Sequence, residues 1–293
     1  MAAVLWMFGT LLSFSLMAVG ARELSGELHT LQILFIRSVI GIVVVASIIA
    51  MKQQRALFFT QRIRMHVGRN LFHFGGQFGW FLGIGLLPLA NVFALEFTVP
   101  LWTALIAVLF LKERLTSAKL ISIALGFVGV LVIVRPGLDI LEAGSFIVLA
   151  AAFCYAISHS ATKSLSTSEN PLTILFYMCL IQLPIGGVLS LVYWANPSLV
   201  GWLWLVVIGL TALTAHFCMT KAMQTAEASL VVSLDFLRLP LISLVGVLIY
   251  GESLEWLMLL GAFIMLLGNV VGIYGQTSRN KRYLLSSKKQ NTL

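Results

Sequence analysis

Apolar residues in this sequence form near-continuous runs separated by short polar or basic stretches, rather than alternating or marking one face of each element. A helix rising 1.5 Å per residue needs about 20 mostly apolar residues to cross a hydrocarbon core ~30 Å thick. Ten runs meet that requirement, at about 2–20, 30–51, 67–86, 90–111, 117–135, 143–162, 172–193, 200–220, 228–249 and 255–275. Connections of only a few residues, as at Leu87-Pro88-Leu89, make consecutive helices antiparallel neighbours. The pattern predicts an all-α polytopic membrane protein with ten transmembrane helices.

Composition agrees with that prediction. Of 293 residues 59% are hydrophobic and 10% charged, which excludes an ordinary soluble surface and makes the lipid bilayer a partner. A formal charge of +8 would suit nucleic acid in a soluble chain. Here the basic residues lie in short loops and a tail, with no basic domain, so no nucleic-acid partner is expected. Cys154, Cys179 and Cys218 each fall inside an apolar run without paired or metal-ligand spacing and read as packing residues. The first apolar run lacks a basic n-region, and Arg22-Glu23 makes a poor cleavage context, so the segment is expected to stay in the mature protein.

Lysine and arginine fix an expected orientation. With the N-terminus in the cytoplasm, 15 of the 19 basic residues fall on the inner side, only Arg22 and Arg135 fall outside, and Arg37 and Arg238 lie within spans. Both termini are then cytoplasmic.

The chain also repeats itself. A shift of 139 lays Leu95-Glu96-Phe97 on Leu234-Asp235-Phe236, Glu113 on Glu252 and Gly129 on Gly268. A shift of 141 lays Ser13-Phe14 on Cys154-Tyr155 and Arg22 on Lys163. Five spans per copy, an odd number, turn the second copy upside down. The predicted organisation is a first five-helix repeat at 1–136, a second, inverted one at 137–275 and a basic cytoplasmic tail at 276–293. Inverted repeats of this kind place a binding site near the midplane between halves that open alternately to either side.

The segment PLANVFALEFTVPLWTALIAVLFLKERLTSAKLISIALGFVGVLVIVRPG joins a proline in the fourth span to an L-x-E-R-L turn and a glycine-spaced fifth span. With the ten spans in two inverted halves, it resembles the EamA-type transporters of the drug/metabolite transporter superfamily. The second copy departs mildly: Pro240 sits one place off Pro100, and Leu-Lys-Glu-Arg-Leu becomes Tyr-Gly-Glu-Ser-Leu. The resemblance implies secondary transport of a small organic molecule across the bacterial inner membrane, with no cofactor and no enzymatic step. Relatives carry amino acids, nucleotide derivatives such as S-adenosylmethionine, vitamins, metallophores and drugs.

Charges within spans are costly and need a partner or a wet cavity. Glu96 and its mate Asp235 lie at matched depths from opposite ends of spans four and nine, a placement that suits opposite gates. Each could bind a substrate cation, carry a coupling proton, or be structural. Asp235 would then pair with Arg238 three residues on, and Glu96 with Arg37 or a histidine. Arg238 is expected near the midplane as an anion-binding fork or as neutraliser of Asp235. Arg37, nearer the end of span two, can snorkel instead. His73, Gln77 and His216 suggest a polar lining in spans three and eight, the last two being matched by the 139 shift. Phe97 and Phe236 follow the matched acids, and Tyr155 is a further aromatic for the wall of a central cavity. Pro100 and Pro240 each remove a ladder donor and read as hinges, with Pro184 a lesser one. The Gly75, Gly79, Gly83 series reads as packing, and Gly268 with Gly272 as packing or a dimer face, leaving monomer and homodimer open. No residues have metal-site spacing.

The expected function is secondary transport of a small polar or zwitterionic metabolite, with a cavity walled by spans one, three, four, six, eight and nine. An intramembrane enzyme and a non-transporting accessory subunit are the alternatives. The sequence shows no G-x-S-x-G, H-E-x-x-H or paired catalytic aspartates in one half to support the enzyme, and an accessory subunit leaves the matched acids and prolines without a task.

Overall fold

A computed structural model describes residues 2–109, 117–134, 143–225, 231, 235, 238–253, 255–268, 270–271 and 274. The described chain is helical and contains no strand. Its elements are α1 (Ala2–Glu23), α2 (Thr30–Met51), α3 (Ile63–Leu86), α4 (Leu89–Glu96), α5 (Val99–Leu109), α6 (Ser117–Val134), α7 (Ala143–Ser166), α8 (Pro171–Ser190), α9 (Leu199–Thr225) and α10 (Arg238–Tyr250). The last apolar helix is α11 (Trp256–Gly268). Five helices are long and apolar enough to cross a membrane: α1, α2, α7, α8 with its 3₁₀ extension to Tyr193, and α9. α3 matches them in length at 24 residues, but it carries more polar groups because, as its burial shows, one face lies inside the bundle.

Helix ends follow local chemistry. Asn170 accepts from the Leu172 N–H at 2.9 Å, and Pro171 occupies the first turn of α8, where its missing donor costs nothing. The His29 ring accepts from the Leu31 N–H at the start of α2. α8 continues unbroken past Pro184, so that proline is no break.

The expected fourth span is instead two helices. α4 closes with Thr98 N–H bonding the Leu95 carbonyl at 3.1 Å, and α5 restarts with Leu101 N–H on the Thr98 carbonyl at 2.9 Å. The Thr98 hydroxyl also donates to the Leu95 carbonyl at 2.7 Å, competing with the helical ladder. Pro100 thereby falls in the first turn of α5, where it needs no acceptor. The break leaves Glu96 as the last residue of α4.

Polar side chains are buried within an apolar core while many large apolar side chains face outward. Gln32, Arg37, His66, Arg69, Asn70, His73 and Gln77 are buried, while Leu5, Phe8, Leu203, Leu248 and Phe263 are exposed. An apolar exterior around a core that holds buried polar groups suits lipid as solvent. The most extensive packing joins α1 to α9, α3 to α7 and α2 to α8, and α4 lies against α10. Small residues permit the close approaches. A Cβ added to Gly79 would meet the Ile147 carbonyl of α7 at 3.1 Å. Gly129 of α6 and Gly261 of α11 oppose each other so closely that a Cβ on either would lie 2.7 Å from the other's carbonyl oxygen. Gly272, Glu113, Phe236 and the 276–293 tail lie outside the described residues. Of Pro100 and Pro240 only the helical backbone is described.

Gly261→Val is expected to destabilise the protein by about 1–3 kcal/mol through overpacking, read as a lower thermal midpoint in detergent. An unchanged midpoint would contradict the close α6–α11 crossing.

Candidate functional site

Glu96 and Asp235 meet at one cation. Arg238, the first residue of α10, is 2% exposed, and its Nη2 donates to Glu96 Oε1 at 2.9 Å and to Asp235 Oδ2 at 2.9 Å. The second oxygen of Glu96 accepts from Trp80 Nε1 at 2.8 Å. Phe14 and Phe93 flank the guanidinium, with ring centroids 5.0 and 4.8 Å from its central carbon. Charge pairing and the two ring faces together offset the desolvation of a buried guanidinium.

The two acids and one arginine carry a formal charge of −1 when all are ionised. Asp235 Oδ1, Arg238 Nε and both amide atoms of Gln77 are buried without a hydrogen-bond partner. These unspent groups border a small pocket. α1 contributes Phe14 and Met17 to it, α3 Gln77 and Trp80, and α4 Glu96. α7 contributes Tyr155 and His159, α9 His216 and Met219, and Asp235 and Arg238 come from the start of α10 and just before it. The spans represented are one, three, four, six, eight and nine.

Six residues singled out from sequence are therefore brought together: Glu96, Asp235, Arg238, Gln77, His216 and Tyr155. Three others are placed differently. Arg37 reaches neither Glu96 nor the bilayer surface; it is 3% exposed and donates to Gln182 Oε1 at 3.3 Å. His73 is set behind the pocket wall, its ring centroid 4.7 Å from that of His216. Phe97 is buried beside Glu96 without lining the pocket, and Phe236 is not described. The expected pairing of Asp235 with Arg238 is present, but Glu96 shares the same Nη2 and does not face a separate gate.

Phe14, Met17, Trp80, His159 and Met219 complete the wall; in the sequence Trp80 and His159 stand out as an aromatic and a histidine within spans, and the other three do not. The repeat register carried a signal for three of them. Phe14 is the mate of Tyr155 under the shift of 141, and Trp80 is the mate of Met219 under the shift of 139. With Gln77 and His216, and Glu96 and Asp235, four matched pairs line one pocket. Among the described residues no cluster could hold a metal ion.

A multi-helix membrane protein with a small pocket lined by charged side chains has the form of a transporter. A profile of the EamA-like transporter family matches residues 1–135 and 142–274, and the chain belongs to that family. It is 24% identical over 271 residues to an S-adenosylmethionine uptake transporter of Rickettsia bellii, covering 92% of this chain and 93% of that protein. It is 28% identical to a riboflavin transporter of Vibrio cholerae, with 95% of each chain covered. A riboflavin transporter of Brucella anthropi is 31% identical over 227 residues, covering 75% of this chain and 80% of the other. A crystal structure with 19% identity superposes with a TM-score of 0.67 over 92% of this chain and 95% of its own, which shows a common fold. The protein is thus a non-enzymatic, multi-pass bacterial membrane transporter of the drug/metabolite type.

Arg238→Gln is expected to destabilise the protein by about 3–5 kcal/mol, because two part-buried carboxylates lose their shared cation. The triple variant Glu96→Gln, Asp235→Asn, Arg238→Gln should recover most of that loss. Thermal unfolding of the three proteins checks both statements; equal losses in the single and triple variants would contradict the shared-cation geometry.

Proposed function

We propose that the chain is a secondary carrier of a small polar or zwitterionic organic metabolite, working by alternating access between two inverted five-helix halves. The observation that carries this reading is the net-negative Glu96–Arg238–Asp235 group in a pocket walled by four pairs of repeat mates. One unbalanced negative charge in a low-dielectric site attracts a cationic group of the substrate or a proton. Aromatic and methionine side chains beside it suit a planar or partly apolar body. The names of the relatives supply two candidates, S-adenosylmethionine, which carries a sulfonium, and riboflavin.

The packing supports a twofold relation between the two halves. With spans one to five matched to spans six to ten, the α1–α9 contact of spans one and eight exchanges with the α3–α7 contact of spans six and three. The α2–α8 and α4–α10 contacts each map onto themselves. That is the pattern of a twofold relation between halves.

Closure at one end has a physical basis. Arg22, at the end of α1, donates to the Leu87 carbonyl at 2.6 Å and to Glu252 Oε1 at 2.8 Å. Glu252 Oε2 in turn accepts from the Leu89 N–H at 2.9 Å, capping α4 from the other half of the chain. A carboxylate at a helix N-terminus is favoured by the helix dipole. Opening to this side breaks that junction. At the opposite end Lys163, the mate of Arg22, donates to the Met223 carbonyl of α9 at 2.7 Å.

Uptake of labelled S-adenosylmethionine and riboflavin by vesicles reconstituted with the pure protein tests the reading. Transport of either, lowered at least tenfold by Glu96→Gln or Asp235→Asn, is expected; a chain inert to both and to a panel of amino acids and vitamins would contradict it. If one acid carries a proton, an imposed pH gradient should accelerate wild-type uptake and lose its effect in that acid's amide variant.

The junction has its own test. In a chain with its three native cysteines replaced, a disulfide between Arg22→Cys and Glu252→Cys should stop transport, and reduction should restore it. Full activity of the cross-linked protein would show that this end does not open.

A further inference from the structure

Beside the pocket lie two buried cations that the carrier chemistry above does not use. Arg37 of α2 and Arg69 of α3 are each 3% exposed. Arg69 donates from Nε to Thr162 Oγ1 at 3.0 Å and from Nη1 to Asn70 Oδ1 at 2.5 Å. Arg37 donates from Nη2 to Gln182, and its Nη1 has no partner. Neither guanidinium forms an ion pair among the described residues. Arg37 lies within reach of the charge on Arg69, so each raises the cost of burying the other.

Gln182 orients the neighbouring histidine. Its Oε1 accepts from Arg37, which leaves its Nε2 as donor to His73 Nδ1 at 2.8 Å. His73 Nδ1 is then an acceptor, and its Nε2 carries the proton. That Nε2 is also buried without a partner. Two donors, one of them charged, stand beside the pocket without an acceptor. Burying a charge and a donor this way is costly unless an anion completes the set.

We propose that Arg37 and His73, with Arg69 reinforcing their field, form a subsite for the carboxylate or phosphate group of the transported molecule. The proposal rests on the carrier reading. Gln77, His73 and Arg69 follow at four-residue spacing along one face of α3. The subsite therefore lies on the order of 6–12 Å along α3 from the Gln77 wall, at 1.5 Å per residue. Tyr155 joins the two regions: it lines the pocket, its ring centroid is 5.8 Å from that of His73, and it lies near Arg37. The site thus has a negative pole at Glu96 and Asp235 and a positive pole at Arg37 and Arg69. It suits a dipolar molecule whose charges are separated by several bonds, rather than a compact cation.

The test is thermal unfolding of the full chain in detergent as chloride is replaced by acetate or by inorganic phosphate at constant ionic strength. Saturable stabilisation by one of the two is expected, and the responding anion tells carboxylate from phosphate. Arg37→Gln should weaken the apparent affinity at least tenfold, while Arg55→Gln, at an exposed arginine of a short 3₁₀ turn, should leave it unchanged. Arg37→Lys, which keeps the charge and loses the fork, should retain a saturable response at higher concentration. A response that never saturates, or is the same in Arg37→Gln as in wild type, overturns the subsite. Vesicle uptake is read separately. Uptake with an anion response indifferent to Arg37 removes the subsite and leaves the carrier; an Arg37-dependent response without uptake of any metabolite removes the carrier reading and leaves an anion site.

Discussion

Taking a guanidinium out of water is costly, and negative charge or the faces of aromatic rings offset that cost. The centre of this protein is built around that constraint at Arg238. Two carboxylates from different halves of the chain converge on one of its nitrogens, and Phe14 and Phe93 flank it. Satisfying the arginine draws α1, α4 and α10 to one point, and Trp80 adds α3 through its bond to Glu96. Because two acids share one cation, the group stays off neutral. A purely structural ion pair has no need of the second acid. A site that must bind and release a charged molecule is poised by such an imbalance, since filling it is favourable and emptying it leaves no unpaired arginine.

The helix break at Phe97–Thr98 is part of the same device. In a continuous span the last turn of α4 would run on into α5, and the Glu96 carbonyl would face Pro100, which has no donor to give. Ending α4 one residue after Leu95, with the Thr98 hydroxyl on the Leu95 carbonyl, removes that mismatch and puts Glu96 at a helix end within the bundle. Irregular backbone at such a depth is tolerated where it is enclosed by protein or lines a cavity.

Much of this was legible in the sequence because lipid imposes lengths. α2 runs over Thr30–Met51, the boundaries read from the apolar run, and α6 and α9 depart from expectation by a few residues. Glu96, Asp235 and Arg238 were also visible, since a charge inside an apolar run stands out. What they touch was not. Glu96 and Arg238 are 142 positions apart, and no local pattern reports such a contact. The acids were expected at separate gates because depth along a span says nothing of how two spans lean together. Trp80 and Phe14 look like any lipid-facing aromatic, and Thr98 like a packing residue. Their roles depend on neighbours from other helices, and only the register between repeats hinted at the first two.

The central claim is that this pocket is the path the substrate takes and opens to both sides in turn. The most direct measurement is the labelling of Met219→Cys, in the chain lacking native cysteines, by a membrane-impermeant thiol reagent added to one side of sealed vesicles and then, in a separate sample, to the other. Access from each side is expected, with either access abolished when the opposite end is held open. Labelling from one side alone, or from neither, would contradict it.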